Sequence, residues 1–275
     1  MNQQPTPELL ERYEPDIFKD MPYRLMKPID FDANQQYPLI LSLHGAGGRG
    51  KDNLKNLRNW NTIMAEEAQR RKYPCFVVVP QTEARWRLPK KLELTSEFIA
   101  TLPDVWQERL NQPRFKDDDG SKGDLGKVYD LLDQLAETYP IDTNRVYCLG
   151  HSMGGGGTWT AIYEAPQRFA AAIPSAGGFS PWQDIKRITH IPIWAFHGDA
   201  DPTVPVEFTR DAFRQLKELA GNMKYTELKD VKHNVNTYAF VYKGDDPEQG
   251  FVTHYASDQC DKTPDVWEWL FAQTR

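Results

Sequence analysis

The chain has 275 residues, of which 40% are hydrophobic and 26% are charged, and its formal net charge at pH 7 is −6. This length predicts one folded domain with a sizeable core, and the acidic balance argues against nucleic acid as a partner. The three cysteines have no metal-binding spacing, and no apolar run is long enough to cross a membrane, so we expect no cofactor, metal, disulfide framework or membrane span.

The N-terminal segment is polar and lacks a regular pattern. We expect residues 1–21 to form an irregular arm ahead of a single domain over residues 22–275. The segment also lacks the basic start and apolar run of a secretory signal. A cytoplasmic location is therefore expected, with secretion as the alternative if a signal peptide has been removed.

Strand and helix patterns alternate from residue 22 onwards, as in a doubly wound sheet. Residues 22–27 predict an edge strand. Residues 38–43 predict a buried strand that leads into a glycine-rich loop, residues 44–48, whose backbone N–H groups can approach a ligand closely. We interpret His44 as a residue that braces this loop by hydrogen bonding. A helix is expected over residues 53–70.

A long connection follows the next interior strand, residues 75–80. Residues 81–126 contain several aromatic side chains without continuous helical periodicity. Two interpretations are open: the segment partly covers a binding site, or its aromatic side chains seal the edge of the core. Trp86 closely follows the carboxyl end of the strand, so we predict that it faces the substrate.

A serine at a strand-to-helix turn is the most informative feature of the chain. Apolar spacing predicts a helix over residues 124–139, and the strand of residues 145–149 then leads into residues 150–154, G-H-S-M-G. Flanking glycines at such a turn hold the serine on a strained backbone that presents its hydroxyl outward. We therefore expect Ser152 to be a nucleophile, with the N–H groups of Ala46 and Met153 as an oxyanion hole.

Two further strands, residues 169–174 and 191–196, are predicted after the serine. Trp182 follows the first of them and is a second candidate for a substrate-facing aromatic residue. The other strand ends in H-G-D-A-D-P, which places two carboxylates, Asp199 and Asp201, at the carboxyl end of a strand.

Three motifs together resemble the α/β-hydrolase superfamily: G-H-S-M-G-G, L-H-G-A-G-G and F-H-G-D-A-D-P-T-V-P. The chain is most similar to the compact carboxylesterases of the phospholipase/carboxylesterase-like, feruloyl-esterase-like and polyhydroxyalkanoate-depolymerase-like groups. The resemblance covers most of residues 22–273. It implies an α/β-hydrolase fold, with a mostly parallel twisted sheet and helices on both faces. It also implies that Asp201 is the catalytic acid, whereas Asp199 forms a turn.

Two histidines follow the acid. Residues 224–229 alternate like the last strand of the sheet, and His233 lies in the loop beyond it, where the resemblance places the catalytic base. The chain departs from the G-H-N pattern of the family because Lys232 replaces the glycine. His254, in a polar stretch before a last helix that Pro264 opens, is therefore kept as the alternative base.

The resemblance implies that a Ser152–Asp201–His233 triad hydrolyses a carboxylic ester through an acyl-enzyme intermediate. Feruloyl or acetyl esters of polysaccharides, polyesters and small metabolites all remain open as substrates. A peptidase or acyltransferase of the same superfamily would use the same residues. A catalytically silent binding protein on this fold is the alternative from another class.

Overall fold

The computed structural model describes residues 5–86, 94–110, 123–178 and 184–275. Nine strands of these ranges form one sheet in the order β1-β2-β4-β3-β5-β6-β7-β8-β9. The strands are β1 (Glu14–Phe18), β2 (Met21–Met26), β3 (Tyr37–Leu43), β4 (Phe76–Pro80), β5 (Ile141–His151), β6 (Ala171–Ser175), β7 (Ile193–Gly198), β8 (Met223–Leu228) and β9 (Phe251–Tyr255).

The six strands from β3 to β8 run parallel, and β1, β2 and β9 join the edges in antiparallel pairs. The predicted mostly parallel sheet is therefore confirmed. From β3 the chain goes first to β4 on one side and then to β5 on the other, so the direction of winding reverses at β3. Ligands of open α/β sheets bind outside the carboxyl ends of the strands next to such a reversal.

Helices cover both faces of the sheet. They are α1 (Pro7–Arg12), α2 (Asn59–Ala65), α3 (Glu67–Lys72), α4 (Ser96–Thr101), α5 (Asp104–Leu110), α6 (Leu125–Thr138), α7 (Met153–Glu164), α8 (Glu207–Glu218), α9 (Asn236–Ala239) and α10 (Val266–Ala272). Successive side chains of a strand point to opposite faces. In β3, Leu39 and Leu41 accordingly belong to an apolar cluster with side chains of α6, α7 and α8, whereas Ile40 belongs to a second cluster with side chains of α2 and α10.

Two predicted helices have different outcomes. The helix expected over residues 124–139 is α6, which buries an apolar stripe at helical spacing: Leu125, Val128, Leu131, Leu132 and Leu135. The single helix expected over residues 53–70 is wrong. It is replaced by α2 and α3, because the backbone at Glu66 is extended, with φ −62° and ψ 136°.

The described part of the N-terminal arm, residues 5–21, is not irregular, which corrects the expectation for these residues. Thr6 caps α1 by accepting a hydrogen bond from the N–H of Leu9, and Pro7 stands at the first helical position. Strand β1 then pairs with β2 along its whole length. Strand β1 thus forms the edge of the sheet next to β2.

Strand β9 lies in the stretch that was expected to be a polar connection. It pairs antiparallel with β8, so residues 224–229 are not the last strand of the sheet. The hydroxyl groups of Thr226 and Thr253 are 2.8 Å apart and hydrogen-bond across this pair. No helix in the described ranges is both long enough and apolar enough to cross a membrane.

Candidate active site

The turn between β5 and α7 holds Ser152 in a conformation that L-residues rarely adopt. Its φ is 59° and its ψ is −118°, and such a backbone persists only where the surroundings enforce it. The N–H of Ser152 donates to the carbonyl oxygen of Ser175, at the end of β6, over 2.9 Å. The neighbouring strand therefore holds the strained turn in place.

The glycines around Ser152 are required by the close approach of backbone segments. A Cβ on Gly150 would lie 2.5 Å from the carbonyl oxygen of Gly154, and one on Gly154 would lie 2.0 Å from that of Leu43. A Cβ on Gly155 would meet the carbonyl oxygen of Ser175 at 2.5 Å. The turn around Ser152 thus packs directly on the ends of β3 and β6, which sets the position of the serine hydroxyl.

Ser152, His233 and Asp201 form a continuous hydrogen-bonded chain. The Nε2 atom of His233 is 2.8 Å from the Oγ of Ser152, and its Nδ1 is 2.7 Å from the Oδ2 of Asp201. Ser152 and His233 are partly exposed, whereas the side chain of Asp201 is fully buried. A histidine held between a hydroxyl and a carboxylate is the arrangement that activates a serine nucleophile.

Asp201 is surrounded by hydrogen-bond donors. Its Oδ1 accepts from the backbone N–H groups of Thr203, at 2.7 Å, and Val204, at 3.0 Å. Burial by itself would raise the pKa of this carboxyl, but hydrogen bonds from His197 and His233 outweigh burial and hold the pKa well below its usual range. The carboxylate is therefore ionised at neutral pH.

Asp199, the other aspartate of the motif, has the turn-forming role that was expected. Its Oδ1 accepts from the backbone N–H of Asp230 over 2.6 Å, and its own N–H donates to the carbonyl oxygen of Leu228. These bonds fix the loop after β8 against the end of β7. Asp199 therefore supports the loop that carries His233.

The two predicted oxyanion donors each begin a helix. Ala46 opens a short 3₁₀ turn, Ala46–Gly48, and Met153 is the first residue of α7. The first N–H groups of a helix have no intrahelical acceptor. A Cβ on Gly45 would lie 3.5 Å from the Cβ of Ser152, which shows how closely the loop approaches the nucleophile. Both N–H groups are thus at the correct edge of the sheet for the predicted role.

His44 braces the glycine-rich loop, residues 44–48, as expected. The backbone N–H of Thr82 donates to its Nε2 over 3.2 Å, and its Nδ1 is 2.8 Å from the carbonyl oxygen of Gly45. Since Nε2 accepts, the proton must be on Nδ1, which donates to Gly45. Burial lowers the pKa of His44 to about 4, so the ring is neutral.

Trp86 does not face a substrate, which corrects the prediction. The side chain is completely buried and packs against the His44 ring, with 4.7 Å between the ring centroids. Its Nε1 donates to the backbone carbonyl of His44 over 2.8 Å, and a Cβ on Gly157 would lie 2.7 Å from the Cβ of Trp86. The indole therefore belongs to the core and packs against His44 of the glycine-rich loop. Trp182 lies outside the described residues.

His254, the alternative base, is not beside the serine. It is an exposed residue of the edge strand β9, opposite Tyr225 of β8, and its ring is 6.1 Å from that of Phe213. His233 is the histidine that contacts both Ser152 and Asp201. The geometry thus distinguishes the two candidates.

Sequence reasoning missed a role for His151, which precedes the serine. Its ring centroid is 5.0 Å from that of His233, and its Nδ1 is 3.2 Å from the Oγ of Ser175. Burial, and then the nearby His233, lower the pKa of His151 to about 3. The residue therefore packs against the catalytic candidate as a neutral ring. Its position within the G-x-S-x-G motif was the available signal.

No three side chains of the His, Cys, Asp or Glu type are grouped closely enough to bind a metal ion in the part of the chain that the structure describes. The donors around Ser152 are instead arranged as a proton-transfer chain. This arrangement can remove the proton of the serine, stabilise a negative charge at the loop and return the proton to a leaving group.

The chain is similar to one described protein family and to a solved esterase structure. Residues 106–241 match the Phospholipase/Carboxylesterase family. A crystal structure of a thermostable esterase is 31% identical, with a TM-score of 0.73, and the alignment covers 97% of this chain and 64% of the esterase chain. This esterase supports both the fold and the family.

Two curated relatives match over shorter segments. A bifunctional acetylxylan esterase/xylanase from Neocallimastix patriciarum is 36% identical over 74 residues, which is 27% of this chain and 11% of the relative. A cutinase from Thermobifida alba is 33% identical over 95 residues, which is 34% of this chain and 30% of the relative. The matched segments thus span less than a third of either relative.

Proposed function

Because this chain is an α/β-hydrolase related to the carboxylesterases, we propose that it hydrolyses carboxylic esters through an acyl-enzyme intermediate. The observation that carries the proposal is the hydrogen-bonded chain from Ser152 through His233 to Asp201, with distances of 2.8 and 2.7 Å. We assign this chemistry to a single catalytic domain, residues 22–275. The nine described strands form one sheet, which supports a single domain, and β1 adds residues 14–18 to it.

The first half of the reaction is acylation of Ser152. His233 takes the hydroxyl proton on Nε2 while Oγ attacks the ester carbonyl carbon, and the N–H groups of Ala46 and Met153 stabilise the resulting oxyanion. The ionised Asp201 stabilises the imidazolium that has formed. His233 then gives the proton to the alcohol oxygen as the bond from carbonyl carbon to that oxygen breaks, which leaves the acyl group on Ser152.

The second half repeats these steps with water. His233 removes a proton from a water molecule, whose oxygen attacks the acyl carbon through the same oxyanion site. The proton returns to Oγ of Ser152 as the carboxylic acid leaves. The net reaction consumes one water molecule and releases an alcohol and an acid, with no other reactant.

We propose acetylated polysaccharides and polyesters as the first substrate classes to examine. The relatives described above are an acetylxylan esterase and a cutinase, which supports these classes over long-chain lipid esters. A hydrolysis panel of short acyl, long acyl and hydroxycinnamoyl esters ranks the classes by kcat/KM. A preference for long acyl chains would contradict the proposed classes.

Replacement of the nucleophile tests the proposed reaction. We expect Ser152→Ala to abolish turnover of a short p-nitrophenyl ester without loss of the fold, because Ser152 supplies the attacking oxygen in the proposed reaction. Circular dichroism and thermal unfolding check that the variant is folded. Retained turnover in a folded Ser152→Ala protein would reject the assignment.

A matched pair of variants tests the base. His233→Ala removes the group that contacts Ser152, whereas His254→Ala removes an exposed ring on the edge strand β9. We expect kcat to fall by several orders of magnitude in the first variant and to remain unchanged in the second. The reverse result would assign the base to His254.

A further inference from the structure

A second histidine lies near the same carboxylate oxygen of Asp201 that His233 contacts. His197 is in β7, four residues before Asp201, and its side chain is completely buried. The Nε2 atom is 2.9 Å from the carbonyl oxygen of Val204 and 3.4 Å from the Oδ2 of Asp201. The Nδ1 atom is 2.7 Å from the Oγ1 of Thr209 on α8.

These contacts fix the direction of the hydrogen bonds. The carbonyl oxygen of Val204 can only accept, and the Asp201 carboxylate, whose pKa is held low, also only accepts. The Nε2 atom of His197 must therefore carry a proton and donate it. The shorter bond goes to Val204, and the carboxylate receives the weaker, longer contact.

His197 closes the turn that carries the acid. Within this turn the N–H of Val204 donates to the Oδ1 of Asp201 over 3.0 Å, while the carbonyl oxygen of Val204 accepts from His197. The N–H and the carbonyl oxygen of Val204 thus link the turn to Asp201 and to His197 of β7. The Nδ1 of His233 lies 2.7 Å from the buried carboxylate that this turn carries.

We propose that His197 is a positioning residue that holds the Asp201 carboxylate at hydrogen-bond distance from His233. The inference rests on the proposed function, since it assigns a role within the same triad. His197 does not contact Ser152 in the described structure, and it acts through the turn of residues 201–204. Its loss should therefore lower kcat and leave KM unchanged.

Two substitutions separate the Nε2 donor from the rest of the ring. In His197→Gln, the side-chain amide nitrogen reaches the place of Nε2 and can still donate to Val204. In His197→Asn, the amide reaches only the place of Nδ1, so a polar atom remains near Thr209 but the donor toward Val204 and Asp201 is lost. Both variants put an amide into the same buried site, so each is the control for the other.

We expect His197→Asn to lower kcat on a p-nitrophenyl ester about 10- to 100-fold, because a displacement of about 1 Å in a catalytic group has effects of this size. His197→Gln should keep most of the activity, and KM should be unchanged in both. Equal kcat values for the two variants, or an increase in KM alone, would overturn the inference.

A second pair keeps the test decisive if His197→Asn does not fold. Thr209→Val removes the hydroxyl that holds Nδ1 of His197, whereas Thr209→Ser keeps that hydroxyl. We expect a lower kcat with unchanged KM in the first and wild-type kinetics in the second. Wild-type kinetics in a folded Thr209→Val protein would count against the positioning role.

A readout that does not need turnover separates this inference from the proposed function. The proton between Nδ1 of His233 and Asp201 should give a low-field proton NMR resonance in the wild-type protein and in His197→Gln. The resonance should shift or disappear in His197→Asn. That pattern in a protein without esterase activity would support the positioning role and reject the proposed function, whereas an unchanged resonance in His197→Asn would reject the positioning role.

Discussion

Replacement of Trp86 tests whether this residue belongs to the core or to a substrate pocket. The indole is completely buried, and its Nε1 donates to the carbonyl oxygen of His44 over 2.8 Å. Trp86→Ala would remove the whole ring, and Trp86→Phe would remove the N–H donor and part of the ring volume. Both variants therefore lose the hydrogen bond, and Trp86→Ala loses the remaining ring packing as well.

The buried position sets the size of each effect. Truncation of a buried tryptophan to alanine lowers the free energy of unfolding by about 3–5 kcal/mol. In Trp86→Phe the buried carbonyl of His44 loses a donor, which lowers this free energy by about 1–3 kcal/mol. Neither change removes a group that faces the partly exposed Ser152, so KM should stay at the wild-type value.

Urea unfolding and ester kinetics on the same preparations check this prediction. We expect the free energy of unfolding to decrease in the order wild type, Trp86→Phe, Trp86→Ala, with KM constant in the variants that remain folded. A several-fold increase in KM with unchanged stability would refute the reasoning. Trp86 would then contact the substrate after all.

Two further predictions concern stability. Gly154→Ala should prevent folding or destabilise the protein severely, because its Cβ would lie 2.0 Å from the carbonyl oxygen of Leu43. The control Gly156→Ala has an open Cβ position and should raise the free energy of unfolding by about 0.5–1 kcal/mol. Equal stabilities of the two variants in urea unfolding would contradict this prediction. Burial lowers the pKa of Lys224 from 10.5 to about 8. Between pH 8 and pH 10.5 the folded protein therefore binds fewer protons than the unfolded protein, so the free energy of unfolding should rise with pH. Relative to Lys224→Met, that rise should reach about 3 kcal/mol in urea titrations from pH 7 to 11, and parallel pH profiles would contradict it.

The sequence predicted the central sheet well because its strands are uninterrupted apolar runs. Residues 38–43 and 191–196 lie within or overlap strands that are buried on both faces, and each leads into a motif with glycine. Such runs occur in the interior of parallel sheets. The motifs therefore had a defined place at the carboxyl ends of the strands. The residues that the structure brings together, Ser152, Asp201 and His233, were proposed from this placement and the family resemblance.

Edge elements were harder to predict because most of their side chains are not buried. Strand β9 has intermediate or exposed side chains except at Thr253, and its pairing partner β8 is more than twenty positions earlier. The arm of residues 1–21 has the same property, since β1 is almost entirely exposed. In both cases the pairing with a neighbouring strand determines the structure, and alternation of hydrophobic residues gives a weak signal.

The sequence also failed to predict roles that depend on contacts between residues far apart along the chain. Trp86 finds its hydrogen-bond acceptor 42 positions away, at His44, and this long-range contact has no local signature. The glycine run after Ser152 was a signal that could have been used. Gly157 has no room for a side chain because Trp86 lies there. A glycine in an otherwise helical pattern thus indicated a large neighbour above the helix.

Mass mapping of the protein after treatment with a fluorophosphonate tests the central claim most directly, because the reagent modifies a serine only where a base activates it. We predict one phosphonyl group on the peptide that contains Ser152, no labelling in Ser152→Ala, and much slower labelling in His233→Ala than in His254→Ala. A label on another residue, or a folded wild-type protein that remains unlabelled, would contradict the account.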